Sequence, residues 1–211
     1  YHLSVVTDDI AMEITHIIRG DDHLSNTPKQ ILLYRAFAME PPTFAHLPLI
    51  LGEDKKRLSK RHGAVSVLEY SEMGIVPDAM FNFLALLGWS PGGDMEILSR
   101  DELMGLFSFE GIGKAGSVFD LQKLTWLSGQ YILKTSGGER APRLKPFFER
   151  AGLWEESFEG DRKGWFVGLI ELFRPRCRTY VEFVEAMRPF LSDDFSYEEE
   201  GIGRFRTNIF M

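Results

Sequence analysis

The sequence predicts an α/β segment in the first third of the chain, followed by helices. Short apolar runs rich in β-branched residues, separated by polar turns, occupy the first third and are typical of buried strands. Beyond Gly63, capping residues and amphipathic runs of helical length replace them. Hydrophobic residues make up 44% of the 211-residue chain and aromatic residues 13%. A core can therefore form, and intrinsic disorder is excluded as the main interpretation.

One strand–helix–strand unit is predicted before residue 60. Three short runs are predicted strands: Leu3–Thr7, Thr15–Arg19 and His46–Leu51. Between the second and the third, Ser25 or Asn26 can cap a helix whose first turn accommodates Pro28. Pro41 and Pro42 end that helix. Strand, helix and strand at this spacing form one βαβ unit with parallel strands.

Helices are predicted for most of the remaining chain. Ser99 and Glu102 have the spacing of a capping box, and Asp120 is placed to cap another helix. The segment Thr135–Gly138 is polar and glycine-rich, which indicates a domain boundary. The predicted helices are Pro77–Leu87, Leu103–Phe107, Leu121–Leu127, Pro142–Ala151, Arg162–Phe173 and Thr179–Pro189.

The charge of the chain argues against a generally basic, nucleic-acid-coating surface. The net charge is −7, so any RNA contact must come from local basic patches on an acidic body. Two such patches are present: Lys55, Lys56, Arg57, Lys60 and Arg61, and then Arg174, Arg176 and Arg178. The alternative for each patch is a solvated loop or helix end.

The single cysteine and the start of the sequence indicate the cellular compartment and whether the chain is part of a longer protein. The single cysteine, Cys177, excludes an internal disulfide framework and a cysteine-based zinc cluster, and it fits a reducing cytoplasm. A packing role is favoured for Cys177 over a reactive thiol. No run approaches the roughly 18 apolar residues of a membrane span. The first residue is Tyr1 and not Met, and no leader pattern follows it, so we expect the sequence to be cut from a longer protein.

The run Arg57–Arg61 carries the most specific chemical signal. It leaves a predicted strand of the βαβ unit, and in such folds ligands bind beyond the carboxyl ends of the strands. A lysine with two arginine neighbours suits a triphosphate, and Ser59 adds a hydroxyl donor. A basic surface turn is the alternative, since a short cationic loop alone is a weak signal.

This run and several motifs around it resemble the class I aminoacyl-tRNA synthetases, in their glutamyl branch. Arg-Leu-Ser-Lys-Arg is similar to the KMSKS signature loop of that family. The other matching segments occur in the family's order: Ile14–His23, Asn26–Gln30, Arg61–Val67, Leu86–Ser90 and Phe119–Leu124. The resemblance is dense through about Ile132 and looser beyond it, where Arg174-Pro175-Arg176 is a further marker.

The resemblance implies a fold and a division into domains. It implies a partial Rossmann-type parallel sheet, the second half of the nucleotide-binding catalytic domain, over residues 1–60. A helical domain contacting the tRNA stem is implied over residues 61–136, and the start of a helical anticodon-binding region over residues 137–211. The family's His-Ile-Gly-His loop belongs to the first half of the nucleotide fold, which we expect to precede Tyr1.

The resemblance also implies roles for individual residues. Lys60 is implied to be catalytic. The implied ATP contacts are Asp22, Ile50, Arg57, Leu58, Ser59, Lys60 and Arg61. The implied glutamate contacts are Tyr1, Val5 and Arg19. Val5 departs from relatives that have asparagine there, and Arg57 departs from the commoner lysine. An arginine at a strand end paired with Asp8, Asp9, Asp21 or Asp22 is the alternative for Arg19.

The implied activity is ligation of L-glutamate to tRNA(Glu) in translation. Glutamate attacks the α-phosphate of ATP to form glutamyl-adenylate, and the glutamyl group then moves to the 3′ end of the tRNA. ATP is a substrate accompanied by Mg²⁺, no protein-bound metal is expected in this segment, and the implied protein is a cytoplasmic monomer that does not bind membranes. The chain alone is expected to be inactive.

Three alternatives remain open from the sequence. The first is a glutamyl-queuosine tRNA synthetase, which lacks anticodon-binding helices and therefore does not explain the stretch beyond Arg140. The second is a glutaminyl-tRNA synthetase, whose later part is built from β-barrels. The third is a non-catalytic RNA-binding module derived from a synthetase, which has no need of the Ser59-Lys60-Arg61 loop.

Overall fold

The computed structural model describes residues 1–59 and 66–192 of the chain. Two compact units are present. The first contains residues 1–69 and 77–124, and the second contains residues 70–76 and the chain from residue 125 onward. The limits proposed at residues 60 and 136 from the sequence stay a prediction.

The first element is a helix, α1 (His2–Ala11), so the strand predicted at Leu3–Thr7 is wrong. β-branched residues suggested a strand, but the burial follows a helical period. Val6 is fully buried, whereas Leu3 is exposed. A hydroxyl–carboxylate hydrogen bond of 3.1 Å from Tyr34 to Asp9 ties α1 to the next helix. Packing of this one face outweighs the weak strand preference of the sequence.

The predicted βαβ unit is confirmed. Strand β1 (His16–Gly20), helix α2 (Thr27–Ala36) and strand β2 (Thr43–Leu47) follow in order, and β1 pairs with β2 in parallel. A short 3-10 helix (Asp21–Asn26) connects β1 to α2. Pro28 lies in the first turn of α2 as expected, but the side chain of Asn26 makes no capping hydrogen bond.

The run predicted as one strand at His46–Leu51 is divided. Strand β2 ends at Leu47, and β3 (Ile50–Leu51) pairs in parallel with β4 (Ser117–Val118). Pro48 lies between them and has no N–H to continue the first ladder. The sequence did not predict the pairing of β3 with Ser117–Val118, because this two-residue strand has no strand signal in its own neighbourhood.

The first unit also contains the next three helices. They are α3 (Val67–Glu72), whose end passes into the second unit, α4 (Pro77–Leu86) and α5 (Arg100–Leu106). The capping box predicted at Ser99 and Glu102 is confirmed. Asn82 is fully buried, and its side-chain oxygen accepts a 2.7 Å hydrogen bond from the backbone N–H of Leu98. This bond fixes the chain that enters α5 against α4.

Four helices form most of the second unit: α6 (Leu121–Lys134), which begins in the first unit, α7 (Gly137–Arg150), α8 (Lys163–Phe173) and α9 (Tyr180–Leu191). Asp120 accepts a 3.0 Å hydrogen bond from Lys123 N–H and caps α6 as predicted. Helix α7 begins before the predicted Pro142 because Ser136 and Glu139 form a capping box. The core contains Phe148, Phe158 and Phe166.

A buried arginine closes the carboxyl end of α6. Arg140 on α7 is 1% exposed, and its Nη2 donates to the carbonyl oxygens of Tyr131, Ile132 and Thr135 at 3.2, 2.7 and 3.4 Å. The last carbonyl groups of a helix have no partner within the helix, so the N–H groups of a guanidinium are favourable donors to them. Arg140 therefore links α6 to α7 through the backbone.

Gly74 allows a close backbone contact in the second unit. Its φ is +79°, and its carbonyl accepts a 2.8 Å hydrogen bond from Tyr180 N–H at the start of α9. A Cβ at this position would lie 2.6 Å from the backbone nitrogen of Val181. Both the backbone angle and the space therefore require glycine.

We expect Gly74→Ala to lower the free energy of unfolding by at least about 2 kcal/mol, because it adds left-handed strain to a backbone clash. Gly168→Ala is the matched control, since Gly168 lies inside α8 with open space around its Cβ position. The control is expected to stabilise the helix by about 0.5–1 kcal/mol. Urea unfolding followed by circular dichroism measures both, and equal midpoints for the two variants would contradict this account.

Candidate active site

A cleft of about 740 Å³ opens in the first unit at the carboxyl ends of the parallel strands. The end of β1, the loop after β2 and the segment around Arg57 form one side, and apolar side chains of α4 and α5 form the other. The lining includes Gly20, Asp22, Ile50, Arg57, Leu58, Phe81, Trp89 and Phe107. This is the position where ligands bind in open α/β sheets.

A tight turn brings Arg57 and Leu58, the start of the predicted basic loop, to the cleft. Leu58 N–H donates to Ile50 O at 2.9 Å, and Gly52 N–H donates to Lys56 O at 2.8 Å. Lys55 occupies the left-handed region with φ +58°, and Asp54 accepts a 2.9 Å hydrogen bond from Lys56 N–H. These bonds fold the chain back on itself directly after β3, so Arg57 and Leu58 lie beside Ile50.

Arg57 and Asp22 form an ion pair at the edge of the cleft. The Nη2 of Arg57 lies 3.1 Å from a carboxylate oxygen of Asp22, with the arginine side chain 67% exposed and the aspartate side chain 30% exposed. Exposed ion pairs contribute little to stability, on the order of 0–1 kcal/mol. Arg57 is therefore only weakly held by Asp22.

Gly20 controls the position of Asp22. A Cβ at Gly20 would lie 2.6 Å from a carboxylate oxygen of Asp22. Any side chain at this strand end would push the Asp22 carboxylate away from its present site. The glycine thus keeps the acidic group at the mouth of the cleft.

Arg19 lies on the other face of β1. Ile18 and Gly20 line the cleft, and successive strand residues point to opposite faces. The Nη2 of Arg19 donates to Thr27 Oγ1 and to Gln30 Oε1, both at 2.8 Å, and its guanidinium lies 5.2 Å from the centre of the Phe44 ring. Within residues 1–59 and 66–192 no carboxylate pairs with it, so the predicted alternative of an aspartate partner is wrong there.

His46 continues this polar network. Its Nε2 lies 2.9 Å from Thr27 Oγ1, which already accepts from Arg19. The hydroxyl of Thr27 also lies 3.5 Å from the carbonyl oxygen of His23, so it links Arg19, His46 and the chain that enters α2. Burial, and then the charge of Arg19, lower the pKa of His46, in agreement with a neutral imidazole. Nearby, burial and the hydrogen bond to Asp9 raise the pKa of Tyr34 to about 12.

The structure brings together part of the predicted set. Asp22, Ile50, Arg57 and Leu58 line the cleft, and Ser59 follows them directly in the chain. Lys60 and Arg61 lie outside the described residues, so the position of the predicted catalytic group is not described.

The predicted glutamate contacts lie apart from the cleft lining. Tyr1 is 75% exposed, Val5 is half-buried on α1, and Arg19 faces α2. The sequence interpretation missed Thr27 and Gln30 as hydrogen-bond partners of Arg19, and His46 as a partner of Thr27. A signal was available, since two polar residues three positions apart on α2 share one helix face.

Cys177 is a packing residue, as favoured from the sequence. It is 4% exposed, between α8 and α9, and burial raises the pKa of its thiol to about 11. A thiol with so high a pKa is almost entirely protonated at neutral pH and is a poor nucleophile.

The described part of the chain gives two further findings. No helix in it has both the length and the apolar composition of a membrane span. It also contains no group of three or more His, Cys, Asp or Glu side chains arranged to hold a metal ion.

A cleft at the carboxyl ends of parallel strands, edged by a cationic turn, is the arrangement in which open α/β folds bind ligands. The family model described as tRNA synthetases class I (E and Q), catalytic domain, matches residues 1–126, more than half of the chain. The chain belongs to this family. The expectation drawn from the sequence motifs is therefore confirmed at the level of the family.

Curated relatives agree with this assignment. A glutamate–tRNA ligase of Syntrophobacter fumaroxidans is 47% identical over 205 residues, which cover 97% of this chain and 42% of the relative. One from Thermodesulfovibrio yellowstonii is 50% identical over 193 residues, covering 92% of this chain and 41% of the relative. The chain thus spans about two fifths of the length of the curated relatives it matches.

Solved structures show the same relationship. A glutamate tRNA ligase from Elizabethkingia meningosepticum, crystallised in complex with its amino acid, is 30% identical with a TM-score of 0.80. The alignment covers 97% of this chain and 43% of that chain. A glutamate–tRNA synthetase from Elizabethkingia anophelis gives the same score and identity, with 44% of its chain covered.

We expect Cys177 to resist thiol reagents in the folded chain. Burial and the raised pKa both suppress the reactive thiolate, so labelling by Ellman's reagent at pH 8 should be at least about 100-fold slower than in the urea-unfolded chain. Absorbance of the released thiolate measures the rate. Similar rates in the two states would show that the residue is an accessible thiol.

Proposed function

We propose that this chain is part of a glutamate–tRNA ligase, which activates L-glutamate with ATP and transfers it to the 3′ end of tRNA(Glu). The observation that carries the proposal is the convergence of Asp22, Ile50, Arg57 and Leu58 on one cleft in a chain of this family. Each of these residues corresponds to an expected ATP contact. The names of the similar proteins support glutamate as the amino acid.

The adenine ring, the ribose and the phosphates of ATP each have a suitable part of the cleft. The apolar walls from α4 and α5 suit the adenine ring, and Ile50 contributes to the same surface. Asp22 would accept hydrogen bonds from ribose hydroxyls once a phosphate has taken its place beside Arg57. The exposed guanidinium of Arg57, together with Leu58, Ser59, Lys60 and Arg61, would hold the phosphates, with Mg²⁺ accompanying them.

The reaction requires no side-chain nucleophile. The α-carboxylate of glutamate attacks the α-phosphorus of ATP, the bond to the bridging oxygen breaks, and pyrophosphate leaves with glutamyl-adenylate formed. A ribose hydroxyl of the terminal adenosine then attacks the acyl carbon, and AMP leaves. Lys60 would stabilise the negative charge that builds on the phosphate oxygens and the leaving group.

Arg19, Tyr1 and Val5 are the proposed glutamate contacts. Arg19 keeps a full positive charge close to the end of β1, and a carboxylate is its natural ligand. The phenol of the exposed Tyr1 could donate to the substrate. Val5 offers only apolar contact, so a polar contribution made by asparagine in some relatives would be missing here.

The helical part is proposed to contact tRNA. Residues 61–136 would touch the stem and residues 137–211 would begin the anticodon-binding region. Arg176 and Arg178 are exposed near the start of α9 and suit phosphate contacts. The protein is proposed to act in the cytoplasm as a monomer that does not bind membranes.

Glutaminyl-tRNA ligase is a second candidate, because the matching family model covers both amino acids. The two candidates differ in which amino acid drives pyrophosphate exchange into ATP. Exchange that depends on glutamine and not on glutamate, in the complete enzyme, would favour the second candidate.

In the complete enzyme, we expect Lys60→Ala to lower glutamate-dependent ATP–pyrophosphate exchange far more than it weakens ATP binding. Loss of one preorganised charge at such a site costs about 3–4 kcal/mol, or roughly two to three orders of magnitude in rate. Lys56→Ala removes the same charge at a position outside the signature loop, and a loss of at most about tenfold is expected there. Small, equal effects on exchange would refute the catalytic role, and weaker tRNA binding with intact exchange would indicate a docking surface.

The isolated 211-residue chain is expected to show no glutamate-dependent exchange above background. It spans about 42% of the length of the similar ligases, and the expected His-Ile-Gly-His loop is not in its sequence. The measurement is incorporation of labelled pyrophosphate into ATP, with the complete enzyme as positive control. Robust exchange by the chain alone would refute the expectation that the activity requires residues outside this chain.

A further inference from the structure

The guanidinium of Arg19 is held entirely by neutral groups in the described part of the chain. Its Nη2 has two hydrogens, and both are used, one by Thr27 Oγ1 and one by Gln30 Oε1 at 2.8 Å. The face of the guanidinium lies against the Phe44 ring. These partners fix the position of the group without cancelling its charge.

Two of the four aspartates that the sequence offered as partners of Arg19 are engaged elsewhere. Asp22 pairs with Arg57 across the mouth of the cleft, and Asp9 accepts the hydrogen bond of Tyr34. Nη1 of Arg19 makes no hydrogen bond to residues 1–59 or 66–192, and its Nε is buried without a partner there. The charge and the donors of Nη1 are thus left for another acceptor.

Gln30 is the residue whose neutral side chain leaves the positive charge of Arg19 uncompensated. It is 1% exposed on α2, and within the described residues its amide nitrogen has no hydrogen-bond partner. Its orientation therefore depends on the bond from Arg19 to its oxygen. A glutamate would have nearly the same shape at this position but would neutralise the guanidinium.

Thr27 and His46 also hold the guanidinium of Arg19 in place, separately from Gln30. The hydroxyl of Thr27 accepts from Arg19, and Nε2 of His46 lies 2.9 Å from the same oxygen. These contacts hold the Thr27 hydroxyl in place beside Arg19. A valine would keep the volume of Thr27 but remove both bonds.

We propose that Thr27, Gln30 and His46 are positioning residues that orient Arg19 and keep its charge uncompensated, so that it can bind a carboxylate of the substrate amino acid. The inference rests on the proposed function and extends it from Arg19 to the neutral groups behind it. These residues act through Arg19 and do not touch the substrate.

The test is ATP–pyrophosphate exchange by the complete enzyme carrying Gln30→Glu. The new carboxylate would lie 2.8 Å from Nη2 of Arg19 and compete with the substrate. We expect the KM for glutamate to rise by at least about tenfold, while the KM for ATP and the maximal rate stay within about threefold. Gln122→Glu is the matched control, because it makes the same substitution at an exposed position of α6.

A second pair of variants keeps the proposal testable if Gln30→Glu does not fold. Thr27→Val is expected to raise the KM for glutamate several-fold, and Thr27→Ser, which retains the hydroxyl, is expected to restore it. A purely structural role would instead lower the thermal midpoint and leave the KM for glutamate unchanged.

The possible outcomes distinguish failure of the proposed function from failure of the positioning role alone. No glutamate-dependent exchange in the unsubstituted enzyme would overturn the proposed function and this inference with it. Normal exchange in that enzyme, with an unchanged glutamate KM in folded Gln30→Glu and Thr27→Val, would overturn this inference alone. A parallel rise in the KM for ATP and glutamate would also overturn it, since the effect would not be specific to the amino-acid carboxylate.

Discussion

The parallel pairing of β1 with β2 is the constraint on which the candidate site depends. A parallel pair brings the carboxyl ends of both strands to the same edge, and the crossover through α2 is what makes that pairing possible. Gly20 pairs with Leu47, so Asp22 and the loop leading to Ile50 begin from neighbouring points. An antiparallel arrangement would send these two segments to opposite ends of the sheet.

Successive side chains of β1 point to opposite faces of the sheet, so the apolar cleft and the polar network around Arg19 lie on different sides of this strand. Ile18 and Gly20 face the cleft, where the binding surface is largely apolar and edged by one exposed ion pair. Arg19 faces α2, where it is held by a threonine, a glutamine and an aromatic ring. The exposed Arg57 is paired with a carboxylate, whereas the hydrogen-bond partners of Arg19 are neutral and leave its charge uncompensated within the described residues.

The second unit relies on packing and on the satisfaction of backbone groups. Phe158 stacks on Phe166 with ring centres 4.5 Å apart, and Phe148 meets Phe166 edge to face at 5.4 Å. Arg140 supplies donors to the carbonyl groups at the end of α6, including the buried contact to Ile132 O at 2.7 Å. A charged residue in this core is thus explained by helix geometry without reference to a ligand.

The sequence alone determined the features that depend on neighbouring residues. The positions of α4, α5 and α6, the caps of α5 and α6, the β1–α2–β2 unit and the basic run after β3 were predicted, because capping boxes and hydrophobic periods act over a few positions. Only the tertiary structure decided that residues 2–11 are helical and that Ile50 pairs with Ser117. It also decided which side chains surround Arg19 and which carboxylate meets Arg57. These depend on contacts between residues far apart in the chain, where burial of one face or the reach of one side chain outweighs local preference.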